Sequence, residues 1–114
     1  MKRIVYSPEA ILKIKQIYRS VRAEYGEEKG REVRNAIKGR IRSLKEFERQ
    51  GVSMYELFGA TPDYRKLYVA HNYVFYLIDD QTIRIINVYH EQEDYMWKLF
   101  GIRDVEDEGS EKSN

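Results

Sequence analysis

The sequence predicts an α+β fold: an N-terminal strand and a helix hairpin packed on a small, mainly antiparallel sheet, in the order β-α-α-β-β-β-α. Three observations predict it. The stretch from Tyr64 to His90 is dense in Val, Ile, Tyr and Phe, which suit a pleated surface, and it breaks at the polar cluster Asp79-Asp80-Gln81. Ahead of it, two segments carry apolar residues at steps of three and four, separated only by Gly26 to Gly30. A length of 114 residues allows one modest core.

Lys2 to Tyr6 is a short strand candidate. Ser7-Pro8-Glu9 ends it and starts a helix, with serine suited to the N-cap, proline to the first turn and glutamate to the positive end of the helix dipole. Ile11, Ile14, Tyr18, Val21 and Tyr25 then form one stripe, predicted to be buried, and Gly26 stops the helix. A second helix is predicted from about Glu28 to Arg49, with Val33, Ile37, Ile41, Leu44 and Phe47 inward and Gly51 as its C-cap. A short link between two amphipathic helices makes an antiparallel hairpin. Gly51 to Asp63 is an irregular connection, and its Tyr55, Leu57 and Phe58 predict that it packs against the domain. Strands follow at about 65–70, 72–79 and 82–90, with a bend at Ala70-His71-Asn72. A last helix, Glu91 to Phe100, offers Tyr95, Met96, Leu99 and Phe100 as its apolar side, and Gly101 ends it.

The middle strand poses the functional question. Tyr73, Phe75 and Leu77 fall on one face, and Val74, Tyr76 and Ile78 on the other. A strand apolar on both faces must be covered on both. The helices cover one. The second cover is either the C-terminal segment or a partner molecule.

Cysteine is absent, which removes disulfides and thiolate metal ligands and makes a reducing cytoplasm the simplest home. No apolar run approaches the roughly 18 residues of a membrane span, and the N-terminus lacks a signal-peptide core. After Ile102 the chain holds two basic and five acidic residues, which predicts a domain of residues 1–102 and an acidic, disordered tail at 103–114. The remaining 18 basic and 14 acidic residues leave the body mildly positive. Arg31, Arg34, Lys38, Arg42, Lys45 and Arg49 stand beside the second helix's apolar stripe as a basic ridge. It reads either as a solvated flank or as a track for a phosphate backbone or an acidic partner.

This order of elements resembles the RelE/ParE superfamily of toxins from type II toxin–antitoxin pairs. The likeness spans nearly the whole chain to Ile102. It is carried by Asp63-Tyr64-Arg65-Lys66-Leu67, by Asn72-Tyr73-Val74-Phe75-Tyr76-Leu77-Ile78-Asp79, and by Ile85-Ile86-Asn87-Val88-Tyr89-His90. The resemblance implies a growth-inhibiting toxin held inactive by a cognate antitoxin, a short chain encoded next door. It implies either ribosome-dependent cleavage of messenger RNA or, in other members, poisoning of DNA gyrase without nuclease activity.

Metal-free RNA cleavage needs a base for the 2′-hydroxyl proton, an acid for the leaving oxygen and cations for the pentavalent phosphate. For that chemistry the catalytic candidates are His90, Arg65, Arg84 and Glu93, with Glu91 as an alternative base. The RNA-binding candidates are Lys66, Tyr73, Tyr89, Tyr95, Arg42 and Lys45. Each has a structural alternative: His90 as a strand end or cap, Arg65 and Lys66 as edge blockers, Trp97 as core or interface. Two histidines without matched carboxylates predict no metal site, and no cofactor is expected. Two departures from the nuclease members carry the gyrase alternative, or a binding module without toxicity. Tyr73 stands where an arginine is common, and Glu91-Gln92-Glu93-Asp94 follows the last strand where basic residues are common.

Overall fold

Ser7 makes the first corner. Its Oγ accepts the Ala10 N–H at 3.0 Å, which caps the helix. The same hydroxyl donates to the Ile86 carbonyl at 2.6 Å, and the Ser7 N–H donates to the Ile85 carbonyl at 2.9 Å. One residue thus ties the start of the first helix to the last strand. The computed structural model describes residues 1–102; the acidic tail predicted at 103–114 lies outside the described residues.

The elements are β1 (Arg3–Tyr6), α1 (Pro8–Tyr25), α2 (Glu27–Arg42), a 3-10 turn (Ser43–Lys45), β2 (Val52–Ser53), α3 (Met54–Phe58), β3 (Arg65–Val69), β4 (Asn72–Ile78), β5 (Thr82–His90) and α4 (Tyr95–Phe100). The sheet order is β1-β5-β4-β3-β2, with β1 parallel to β5 and the other pairs antiparallel. The predicted α+β architecture is therefore present, with a 3-10 turn, the two-residue strand β2 and the short helix α3 added between α2 and β3. No helix among the described residues is long and apolar enough to cross a membrane.

The alternation in β4 builds two cores. On the helix side Val74 and Tyr76 join Ile14, Ile37, Ile41 and Ile85. On the other side Phe75 joins Met54 and Tyr89, under Tyr64, Tyr95, Leu99 and Phe100. Phe75 and Tyr76 are neighbours in sequence, fully buried in different layers. Each such side chain contributes about 1.5–3 kcal/mol of burial. The second cover is thus supplied by the chain's own α3–β3 loop and α4, not by a partner.

One irregularity re-aims the end of β5. Tyr76 faces Ile85 and Phe75 faces Asn87, so Ile86 has no opposite number and forms a bulge. Before it, Ile83 and Ile85 point to the helices. After it, Val88 points to the helices and Tyr89 to the second core.

Several expectations need correction. α2 ends at Arg42 rather than Arg49, so Phe47 is exposed, and Gly51 is not its cap. Gly51 is instead buried under Tyr76, whose phenol donates to the Glu48 carbonyl at 2.7 Å and accepts the Gly51 N–H at 2.9 Å. A Cβ at Gly51 would lie 2.8 Å from the ring. Within the stretch read as irregular, β2 and α3 form, and of its large apolar side chains only Met54 is buried; Tyr55, Leu57 and Phe58 stay exposed, although Phe58 meets the Phe100 ring edge-on at 5.5 Å. On α1, Ile14 is buried while Ile11 and Tyr25 are exposed. α4 starts at Tyr95, capped by Asp94, rather than at Glu91. Trp97 lies at its surface, 46% exposed.

Tyr76→Phe leaves the Gly51 N–H and Glu48 carbonyl without that partner. The variant is expected to lose about 1–3 kcal/mol in urea unfolding, with the m-value unchanged. Stability equal to the parent would mean that the phenol does not hold this loop.

Candidate functional site

The four residues expected to perform RNA chemistry do not converge. Arg65 is 8% exposed and on the helix side of the sheet, where its Nη1 donates to the Gly51 carbonyl at 2.7 Å and to the Arg49 carbonyl at 3.2 Å. It clamps the loop before β2 and presents no guanidinium to a ligand. Arg84 is exposed opposite Leu77, six residues before His90 and so roughly 20 Å from it along the strand.

His90 follows the bulge and faces the helix side, opposite Asn72. Its Nδ1 accepts the Gln92 N–H at 3.1 Å, and its carbonyl accepts the Glu93 N–H at 2.9 Å. Those bonds shape the turn into α4. Glu93 returns with a carboxylate that accepts from the His90 N–H at 2.7 Å, from Lys13 at 2.9 Å and from Lys98 at 3.0 Å. Partial burial works against its ionisation, but the bonds from Lys13, His90 and Lys98 outweigh it and bring the pKa to about 2. A carboxylate so held is a poor proton acceptor at neutral pH. The alternative base, Glu91, accepts from Tyr68 and pairs with His71 Nδ1, both at 2.9 Å, and is likewise held below the usual carboxylate range.

The binding candidates divide between the two faces. Lys66, Tyr73 and Tyr95 meet on the second face: the ammonium lies 4.7 Å from the Tyr73 ring centre, 5.1 Å from that of Tyr95, and 3.0 Å from the Tyr95 hydroxyl. This contact fastens α4 to the sheet. Tyr89 is buried beside Phe75, and burial raises its phenol pKa. Arg42 and Lys45 lie in the helix layer, on the opposite side of the sheet. Among the described residues no cluster of three or more His, Asp or Glu could hold a metal ion.

What the fold does bring together is a cationic cleft of about 490 Å³ between β1, α1 and α2. Arg34, Lys38, Arg42 and Lys45, four residues of the predicted ridge, form one wall. Lys15 and Tyr18 stand opposite, and Ile4, Tyr6, Ile11 and Ile14 make an apolar floor. Arg34 stacks on Tyr18 at 4.8 Å. Lys15, Lys38, Arg42 and Lys45 have no carboxylate partner among the described residues, and the lining contains no acid. Burial raises the Tyr6 phenol, an effect partly offset by Arg42. The β1 contribution was missed in sequence because it depends on parallel pairing across nearly 80 residues. Only Lys15, next to Ile14 on α1, gave a local signal.

Glu93→Gln tests the carboxylate's structural role. Because folding lowers its pKa from 4.5 to about 2, its stabilisation is full above about pH 4.5 and is lost as the pH falls toward 2. The variant is expected to be less stable by about 1–2 kcal/mol at pH 7, with the difference shrinking below about pH 4.5 and gone only at about pH 2 and below, in urea unfolding at each pH. A constant difference across that range would refute the assignment.

The sequence profile described as "ParE toxin of type II toxin-antitoxin system, parDE" matches residues 4–95. A comparison with curated protein sequences gives no match. Among solved structures, a chain of the "Chromosomal ParDE TA system from P. aeruginosa" superposes with a TM-score of 0.67 at 17% identity, covering 79% of this chain and 96% of that one. At that identity the likeness concerns the fold alone. The profile match runs from β1 to the first residue of α4, and the chain belongs to the ParE toxin family of type II toxin–antitoxin systems.

Proposed function

We propose that this chain is a toxin that poisons DNA gyrase rather than cutting messenger RNA, and that an antitoxin from the adjacent gene, of the ParD kind, holds it inactive. The family supports the choice of target, since its members are usually directed at gyrase. The observation that carries the choice is the dispersal of the ribonuclease candidates. His90 faces the helices, Lys66, Tyr73 and Tyr95 occupy the other side, Arg65 is buried against backbone, and Glu93 is locked as a carboxylate. General acid–base cleavage needs its groups within hydrogen-bond reach of one phosphate. A binding poison needs only a complementary surface, such as the cationic cleft.

Expression of the chain alone is expected to arrest growth with DNA-damage signalling and intact transcripts, and the purified chain to inhibit gyrase supercoiling. His90→Ala is expected to retain toxicity within about twofold, since no proton transfer depends on it. Transcripts cut inside coding regions, with supercoiling unaffected, would overturn the gyrase reading. Harmless expression at high level would overturn toxicity itself.

A further inference from the structure

The cations of α2 change character along the helix. Near its start Lys29 pairs with Glu32 and Arg31 with Glu27. Beyond Glu32 the chain has no acid until Glu46. On that stretch Arg34, Lys38, Arg42 and Lys45 have no carboxylate partner among the described residues. α1 likewise carries no acid between Glu9 and Glu24, and it sets Lys15 on the facing wall of the cleft. Arg34 is half-buried against Tyr18, and the other four are exposed. Like charges gathered around one cleft repel one another, which costs the free fold stability and which an anionic ligand relieves. The spacing narrows the ligand. Arg34, Lys38, Arg42 and Lys45 recur at intervals of four, four and three residues, one per helical turn, in a row about 17 Å long. A single phosphate or carboxylate can engage one or two of them. Only a regularly charged polymer can engage the row.

We propose that the cleft takes the phosphate backbone of duplex DNA, so that the chain holds DNA that gyrase has already engaged. Arg34, Lys38, Arg42 and Lys45 lie along one strand, and Lys15 closes on it from α1. The choice of DNA rests on the gyrase reading above; the site itself rests on the unpaired cations. Each strand of a duplex presents a charge about every 3.4 Å along the axis, so a row of this length meets about five phosphates. A duplex is favoured over an acidic peptide because its charges stand at a fixed repeat, as those on a helix do. Cations at phosphates position a protein without reading bases. Binding is therefore expected to be indifferent to sequence, with a Kd on the order of 1–100 μM near physiological salt.

The test measures binding of the full chain to a fluorescent duplex of about 20 base pairs, by anisotropy from about 50 to 200 mM salt. The logarithm of the association constant is expected to fall with the logarithm of salt at a slope of about −4, as four or so phosphate contacts require. Lys38→Gln with Arg42→Gln is expected to weaken binding at least roughly tenfold and to reduce the slope by about two. The same variant should keep or raise its Tm, because it relieves repulsion. Lys29→Gln with Arg31→Gln removes equal charge from the paired part of α2 and should leave affinity within about threefold. In the supercoiling assay the cleft variant should need about tenfold more protein for equal inhibition, and the control variant no more than the parent. No duplex binding at the lowest salt, an equal loss in both variants, a lower Tm in the cleft variant, or tighter binding of polyglutamate than of duplex would overturn the site. Full gyrase inhibition by a cleft variant that no longer binds duplex would overturn its role and leave the gyrase reading intact. Duplex binding that depends on the cleft, in a chain without effect on gyrase, would remove the gyrase reading and keep the site.

Discussion

The constraint on which the structure depends is the apolar character of β4 on both faces. Phe75 and Tyr76 are both fully buried, yet they cannot share a core, because consecutive strand residues point to opposite sides. The chain must therefore build a layer on each side of one sheet. The helix hairpin is long enough to make a thick layer. The other is assembled from small pieces: Met54 at the start of α3, Tyr64 before β3, and a six-residue α4 none of whose residues is fully buried. Polar contacts compensate for that thin cover. Lys66 lies between Tyr73 and Tyr95, and Glu93 joins Lys13 of α1 to Lys98 of α4, so the two layers are laced together around the end of β5.

The elements were legible in sequence where local chemistry decides them. Ser7-Pro8 fixes the start of α1, Asp79 receives the Thr82 N–H at 2.8 Å in the β4–β5 turn, and the alternation of 72–78 reads directly as a strand. The end of α2 was not legible, because Leu44, Phe47 and their charged neighbours continue a helical period. Beyond Lys45 the chain is held from the sheet instead: Arg65 and the Tyr76 phenol capture the carbonyls of Glu48, Arg49 and Gly51. Local periodicity carries no trace of such partners.

The site was harder to read than the fold for a similar reason. A regular β5 would place His90 on the same face as Arg84, since they are an even number of residues apart. The extra residue at Ile86 reverses the parity beyond it, sending His90 to the helix side and Tyr89 into the second core. One unpaired residue thus separates groups that composition had suggested as a single site. The basic ridge was visible on α2, but its meaning changed once β1 and α1 were folded against it: an exposed flank became one wall of a trough.

The parallel pairing of β1 with β5 has a further consequence for how the molecule comes into being. Residues 3–6 find their partners at residues 82–85, the most distant pairing among the described strands. During synthesis the first strand must wait, unmatched, until the last strand has been made, while the helix hairpin can form early from neighbouring contacts. The cleft needs both β1 and the hairpin in place, so it is among the last features to be finished. A nascent chain therefore cannot present this surface to anything in the cell until residues 82–85 have left the ribosome.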